Sequence, residues 1–297
     1  MGVACSCTAP SKLSPSPQKE VLAQPSAEIS RPKLTIQNWP HNEAPQARVY
    51  VLTIPPNEAV EVAISDGLKT VEEFAADTEA MAVLNGGFFD PNNGQTTSFM
   101  TVNGELVADP RNNRRLIDNP DLSVYMEQIL NRSEFRRYAC GGDIRYDIAF
   151  HNADAPNGCT IHSSLGAGPQ LIPDTSQVEG FTDYADGALM RDAIGTQQRN
   201  ARSAIGLQEN GTLLWVMVAQ TGPTGGMTLA ELTEFMITLG AEKALNLDGG
   251  SSSSLYVAES FTARGVAQSY YGRLDQQGQK IQRPIKSVLI IPSSVDH

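Results

Sequence analysis

The stretch that decides the fold is residues 228–256, TLAELTEFMITLGAEKALNLDGGSSSSLY. Thr228, with Glu231 three residues on, is a capping box and predicts a helix start. Leu229, Leu232, Phe235, Met236 and Leu239 recur at three- and four-residue steps, which gives the helix one apolar face. Gly240 supplies the left-handed residue that ends helices. Ala244 to Leu247 then reads as a short buried strand that runs out at Asp248-Gly249-Gly250 and four serines. A carboxylate therefore sits where a strand meets a glycine turn lined with hydroxyls. Glycines there admit a close backbone approach and leave N–H groups able to receive an oxyanion. A plain surface turn after a core strand is the simpler reading of DGG alone.

The same grammar occurs earlier. Thr70 and Glu73 predict a helix running to about Thr78, and Met81 to Leu84 a buried strand that ends at Asn85-Gly86-Gly87-Phe88-Phe89-Asp90. Two such units can bring Asn85 and Asp248 to one place. Residues 48–54 and 59–64 are β-rich runs broken by Pro55-Pro56-Asn57. Asn103-Gly104 and Asn210-Gly211 each predict a hairpin. Strands are also expected at 143–150, 169–172 and 284–292, and a helix around 121–131. Residues 109–137 are rich in Arg and read as a solvated face, or else as a basic rim that steers phosphate. Residues 175–200 read as an irregular flap. Strands outnumber helices, so the expected class is α+β: a mixed β-sheet core with a few packed helices in a single domain.

The 297 residues give room for a sizeable core, and no apolar run approaches the roughly 18 residues needed to span a bilayer. With 22 basic and 33 acidic residues the net charge is -11, which argues against nucleic acid as a partner but leaves room for a local cationic cleft. Residues 1–33 are rich in Ser, Pro, Ala and Lys without an apolar period, so they read as a flexible tail, with the folded domain over 34–297. The opening MGVACSC fits a truncated lipoprotein-type signal, less well a myristoylation pattern with Cys5 nearby, or else is neither; a membrane tether and an extracytoplasmic location are the expectation. If the chain is exported, Cys140 and Cys159 are candidates for a disulfide; otherwise they are two reduced thiols. No spacing predicts a metal or a cofactor, and TGPTGG (221–226) lacks the Lys-Ser/Thr end of a phosphate-binding loop.

NLDGGSSSSLYV (246–257) resembles the glycine-serine signature of the phosphodiester glycosidase family, and VLNGGFFD (83–90), GAGPQLI (166–172), ARSAIGLQENGTLLWVMV (201–218) and RPIKSVLII (283–291) resemble further family motifs in the same order. Ser251 departs from the family's usual third glycine. The resemblance implies hydrolysis of a sugar-phosphodiester glycan with release of a sugar, N-acetylglucosamine being the candidate. Breaking the bond at the anomeric carbon needs a carboxylate for an oxocarbenium-like transition state, and a cationic or N–H-rich pocket for the departing phosphate. The candidate carboxylates are Asp248 and Asp90. The candidate binding residues are Asn85, Gly86, Gly87, Arg202 as the phosphate-binding cation, Gly249, Gly250, Ser252 and Ser253. His151 and His162 are alternative acid–base groups, and a Ser252 nucleophile lacks a GxSxG turn. A non-catalytic glycan-binding or exopolysaccharide-assembly protein is the alternative on the same fold, and a cell-surface structural protein a third.

Overall fold

The computed structural model describes residues 1–2, 31–40, 46–263 and 265–293. The proposed tail with Cys5 and Cys7 lies almost wholly outside them.

Two sheets lie face to face, and each carries a helix on its outer side. The six-stranded sheet runs in the order Lys33–Trp39, Ala47–Ile54, Leu213–Gln220, Arg202–Leu207, Lys243–Asn246, Gln170–Ile172. Both its faces are buried, so its central strands are continuous apolar runs whose side chains alternate between two cores. Val49, Val51, Val216 and Val218 meet the helix Leu229–Thr238 through Leu229, Leu232, Phe235 and Met236. Tyr50, Leu52, Trp215 and Met217 point the other way, into the central core. The second sheet, Gln268–Tyr271, Ser254–Val257, Ala80–Asn85, Ile285–Pro292, Glu61–Lys69, supplies Leu84, Leu255 and Leu289 to that core. Its outer face, Val83, Val288 and Ile290, packs on Val71 and Phe74 of the helix Val71–Thr78. A third sheet, Glu105–Ala108, Met100–Val102, Cys159–Gly166, Ser133–Cys140, Asp143–Phe150, closes the central core with Met100, Phe135, Ile148 and Leu165. The class is α+β, as expected.

Both capping boxes form, with Thr70 and Thr228 each accepting from the backbone N–H three residues on. Gly240 lies at φ 79° just past the second helix. Both Asn-Gly hairpins form as well. The segment 109–137 is a solvated face, as expected, only in its first part. Arg111 and Arg114 pair with Asp109 and Asp118 at the surface, but Arg132 and Arg136 are buried and the segment's end enters a strand. Its polar side chains hide the strand period: Glu134 and Arg136 pair with each other inside the protein. The segment 175–200 is not wholly irregular, because Thr182–Ala185 and Ala188–Asp192 form a hairpin over Asp186-Gly187.

Cys140 and Cys159 face each other on neighbouring strands and are joined by a disulfide. The bridge ties the two ends of the segment that carries the strand Asp143–Phe150.

Candidate active site

Asn85 ends one strand of the second sheet and Asp248 follows a strand of the first, so the site sits where the two sheets meet. The Asn85 side chain donates to the Asp248 carbonyl at 2.7 Å and accepts from Ser203 Oγ at 2.6 Å and from Ser254 N–H at 3.1 Å. In return the Asp248 N–H donates to the Gly86 carbonyl at 3.0 Å. Asn85 is fully buried. It therefore joins the two turns, and its expected contact with substrate is replaced by a positioning role.

The glycines serve close approach. A side chain at Gly86 would lie 2.6 Å from Ser287 Oγ, and one at Gly87 would lie 2.2 Å from the Gly166 carbonyl oxygen. Real Cβ contacts are never that short, so each position excludes a larger residue. The Gly86 N–H donates to Ser287 O and the Gly250 N–H to Ala201 O, both at 2.8 Å. These two donors are therefore not available to a substrate oxyanion, contrary to the sequence expectation. The Gly249 N–H is directed at the Asp248 carboxyl. Ser252 and Ser253 are 1% and 0% exposed, which takes their hydroxyls out of reach of a sugar in this arrangement. The Ser252 hydroxyl lies close enough to influence Asp248, yet it makes no hydrogen bond of normal geometry, and Ser253 Oγ likewise has no partner among the described residues.

Asp248 is partly exposed, but dense protein surrounds its carboxyl. That burial raises its pKa to about 6, against opposing pulls from Ser252, from the Arg283 guanidinium and from the Gly249 N–H. A carboxyl that titrates near neutrality at the edge of a glycine turn is what acid–base or charge-stabilising chemistry requires.

Arg202 is buried, and four of its donors are committed to backbone carbonyls: Met227 at 3.1 Å, Ile194 at 3.1 Å, Gly195 at 2.6 Å and Gln198 at 2.8 Å. The expectation that it binds phosphate is corrected. It anchors the 194–198 loop to the sheet. Asp90 is corrected too: it caps its own turn by accepting from Asn92 N–H at 2.8 Å, and pairs with Arg115 at 2.7 Å. Burial raises its pKa, but Asn92 and Arg115 outweigh that and hold it below the ordinary value, so it stays an ionised structural carboxylate. His151 bonds to Glu134 at 2.6 Å and stacks on Phe99.

Two other arginines border the glycine turn. Arg283 Nη1 donates to Ser251 Oγ at 2.8 Å, and its guanidinium lies 5.1 Å from the centre of the Phe89 ring. Arg273 Nη1 and Asn200 Nδ2 flank the α-carbon of Gly250, 3.4 Å and 3.6 Å from where a side chain there would begin. Neither arginine forms an ion pair with a carboxylate among the described residues. Ser251, the departure from the family's glycine, is thus the residue that holds Arg283. Arg283 opens the RPIKSVLII motif, so its position was legible although its role was not. Arg273 had no sequence signal.

A near-neutral carboxyl, two arginines that form no ion pair among the described residues and a glycine turn meet at the junction of two packed sheets. The phosphodiester glycosidase family model matches residues 78–291, and the chain belongs to that family. The fold is similar to the zebrafish N-acetylglucosamine-1-phosphodiester alpha-N-acetylglucosaminidase catalytic domain, solved auto-inhibited by its pro-peptide, at TM-score 0.62 and 16% identity over 91% of this chain and 87% of that one. It is also similar to a hypothetical protein from Synechocystis, at TM-score 0.53 and 17% identity over 86% of this chain and 61% of that one. A Burkholderia pseudomallei protein described as exported matches at TM-score 0.55 and 18% identity, over 83% and 74%. No curated protein matches the chain.

Proposed function

We propose that this chain hydrolyses a sugar-phosphodiester at the anomeric carbon and releases a sugar, N-acetylglucosamine being the first candidate. The observation that carries the reading is the Asp248 carboxyl, raised to about 6, beside Arg283, an arginine that forms no ion pair among the described residues. Asp248 acts ionised and stabilises the positive charge that grows on the sugar ring. The glycosidic bond breaks with its electron pair passing to the phosphate oxygen. Arg283 and Arg273 receive that charge, and water adds to the anomeric carbon, its proton passing to the departing phosphate or to solvent. A phosphate monoester leaves readily, so no strong general acid is needed, which suits a site whose other candidate carboxylate, Asp90, is held in a surface pair.

Export of the chain, with residues 1–33 as a tether to a membrane and 34–297 as the catalytic domain, goes with this reading. The Cys140–Cys159 disulfide supports it, since such bridges persist in oxidising compartments. The test is release of N-acetylglucosamine from UDP-N-acetylglucosamine or from a sugar phosphodiester. Asp248→Asn and Arg283→Gln should each lower kcat/KM by about 10²-fold or more. Equal rates in wild type and both variants would remove this site from consideration.

A further inference from the structure

A second pair of arginines stands apart from Asp248. Arg132 is 8% exposed. Its guanidinium lies 3.7 Å from the centre of the Phe181 ring, and its Nε donates to the Glu179 carbonyl at 3.2 Å. Arg191 repeats the arrangement one residue along: its guanidinium lies 4.5 Å from the centre of the Tyr125 ring, and its Nε donates to the Gly180 carbonyl at 2.9 Å. Consecutive carbonyls therefore hold both side chains, and an aromatic face supports each. The terminal nitrogens of both donate to no group among the described residues, and neither arginine forms an ion pair there.

The nearby carboxylates are engaged elsewhere. Glu179 accepts from Ser133 N–H and Oγ, Gln170 N–H and the Thr175 hydroxyl. Asp183 lies directly across the ladder from Arg191, but accepts from the Tyr125 hydroxyl and from Tyr184 N–H. The two guanidinium groups are close enough to repel: burial lowers Arg132 to about 10, Glu179 pulls it back up, and Arg191 lowers it again. Glu179 offsets part of this charge through space, but the donor forks left over still favour an added anion.

We infer that Arg132 and Arg191 form an oxyanion site for a phosphate group, separate from the one at Arg273 and Arg283. Neither arginine contributes to the charge balance of Asp248. The site nonetheless borders the glycine run at Asn85, because Phe181 packs on Phe88 with ring centres 5.8 Å apart. It takes either free phosphate or a second phosphate ester on the sugar substrate; the bidentate fork chemistry is the same for both.

The probe is inorganic phosphate, titrated calorimetrically into the whole chain. The Arg273→Gln/Arg283→Gln double variant empties the first site and should still bind phosphate. Adding Arg191→Gln should weaken that remaining binding by about tenfold or more, and Arg132→Lys, which keeps the charge but loses the fork, should also weaken it. Arg191 is only partly buried, so its variant should keep the parent melting temperature, and it decides the matter alone if the Arg132 variant fails to fold. A double variant that binds no phosphate, or residual binding unmoved by Arg191→Gln, overturns the proposal. The source of the phosphate follows from KM in the wild-type chain. A sugar diester bearing a second phosphate ester should show a lower KM than one without it, by a factor that Arg191→Gln removes, if the substrate supplies the group. Equal KM values alongside phosphate binding assign the site to free phosphate. The titration needs no turnover, so it stands even if the proposed hydrolysis fails.

Discussion

Asp248 carries the most consequential single charge in the molecule. Its folded pKa of about 6 exceeds the 3.8 of a solvated aspartate. Between those values the folded chain holds a proton that the unfolded chain has released, so stability falls as pH rises from about 4 to 6. Above pH 6 the ionised carboxylate costs roughly 3 kcal/mol. Asp248→Asn removes that cost. The variant should be up to about 3 kcal/mol more stable than wild type at pH 8 and near parity at pH 4, by denaturant unfolding, while losing activity. A variant less stable at both pH values would show that the carboxylate is well compensated in the fold. In the proposed reaction Asp248 acts ionised, so kcat/KM should rise with pH through an acidic limb near 6. Arg283 favours the ionised form, so Arg283→Gln should move that limb to higher pH in the residual activity. Ser251→Gly, which frees Arg283, should move it the same way by less.

At the level of elements, the 194–198 loop is tied to the sheet by Arg202, while the Asp192 carboxylate and Leu229 N–H hold Thr196 within it. Arg202 reaches the carbonyls of Ile194, Gly195 and Gln198 from the end of a buried strand. Arg202→Met should cost about 3 kcal/mol, because one buried and three partly buried carbonyls lose a charged donor at once. Limited proteolysis should then cut within 194–198 at a much higher rate. If the variant stays protease-resistant and loses only substrate affinity, the phosphate role first assigned to Arg202 regains its place. By contrast, Thr228→Ala removes one cap from the helix Leu229–Thr238 and should cost only about 1 kcal/mol, without opening the loop.

Across the whole molecule, three sheets share one central core, and the ion pairs Lys243–Asp147 and Arg137–Glu61 also join the third sheet to the other two. The Cys140–Cys159 bridge lies within this third sheet and closes a loop between positions 19 apart. Reduction should lower stability by about 3 kcal/mol in the chain-entropy picture, read as a lower midpoint in urea with a reductant present. An unchanged midpoint would mean that the cross-strand pairing alone already constrains that segment in the unfolded chain.

The elements were legible wherever local chemistry suffices to specify them. Thr-x-x-Glu caps, Asn-Gly turns and apolar runs depend on residues a few positions apart, and the chain at Thr70, Thr228, Asn103 and Asn210 folded as read. The strand Ser133–Cys140 was hidden because Glu134 and Arg136 neutralise each other inside the protein, so their polarity does not mark a surface. The pairing of Asn85 with Asp248 was foreseeable from the repeated glycine grammar, but which arginines border the turn free of backbone carbonyls was not. Arg202 stands in a recognisable motif and is engaged by backbone carbonyls. Arg283 and Arg273 reach the turn only because distant strands converge on it. A side chain's partners across the fold determine whether its charge is available, and only tertiary structure fixes those partners.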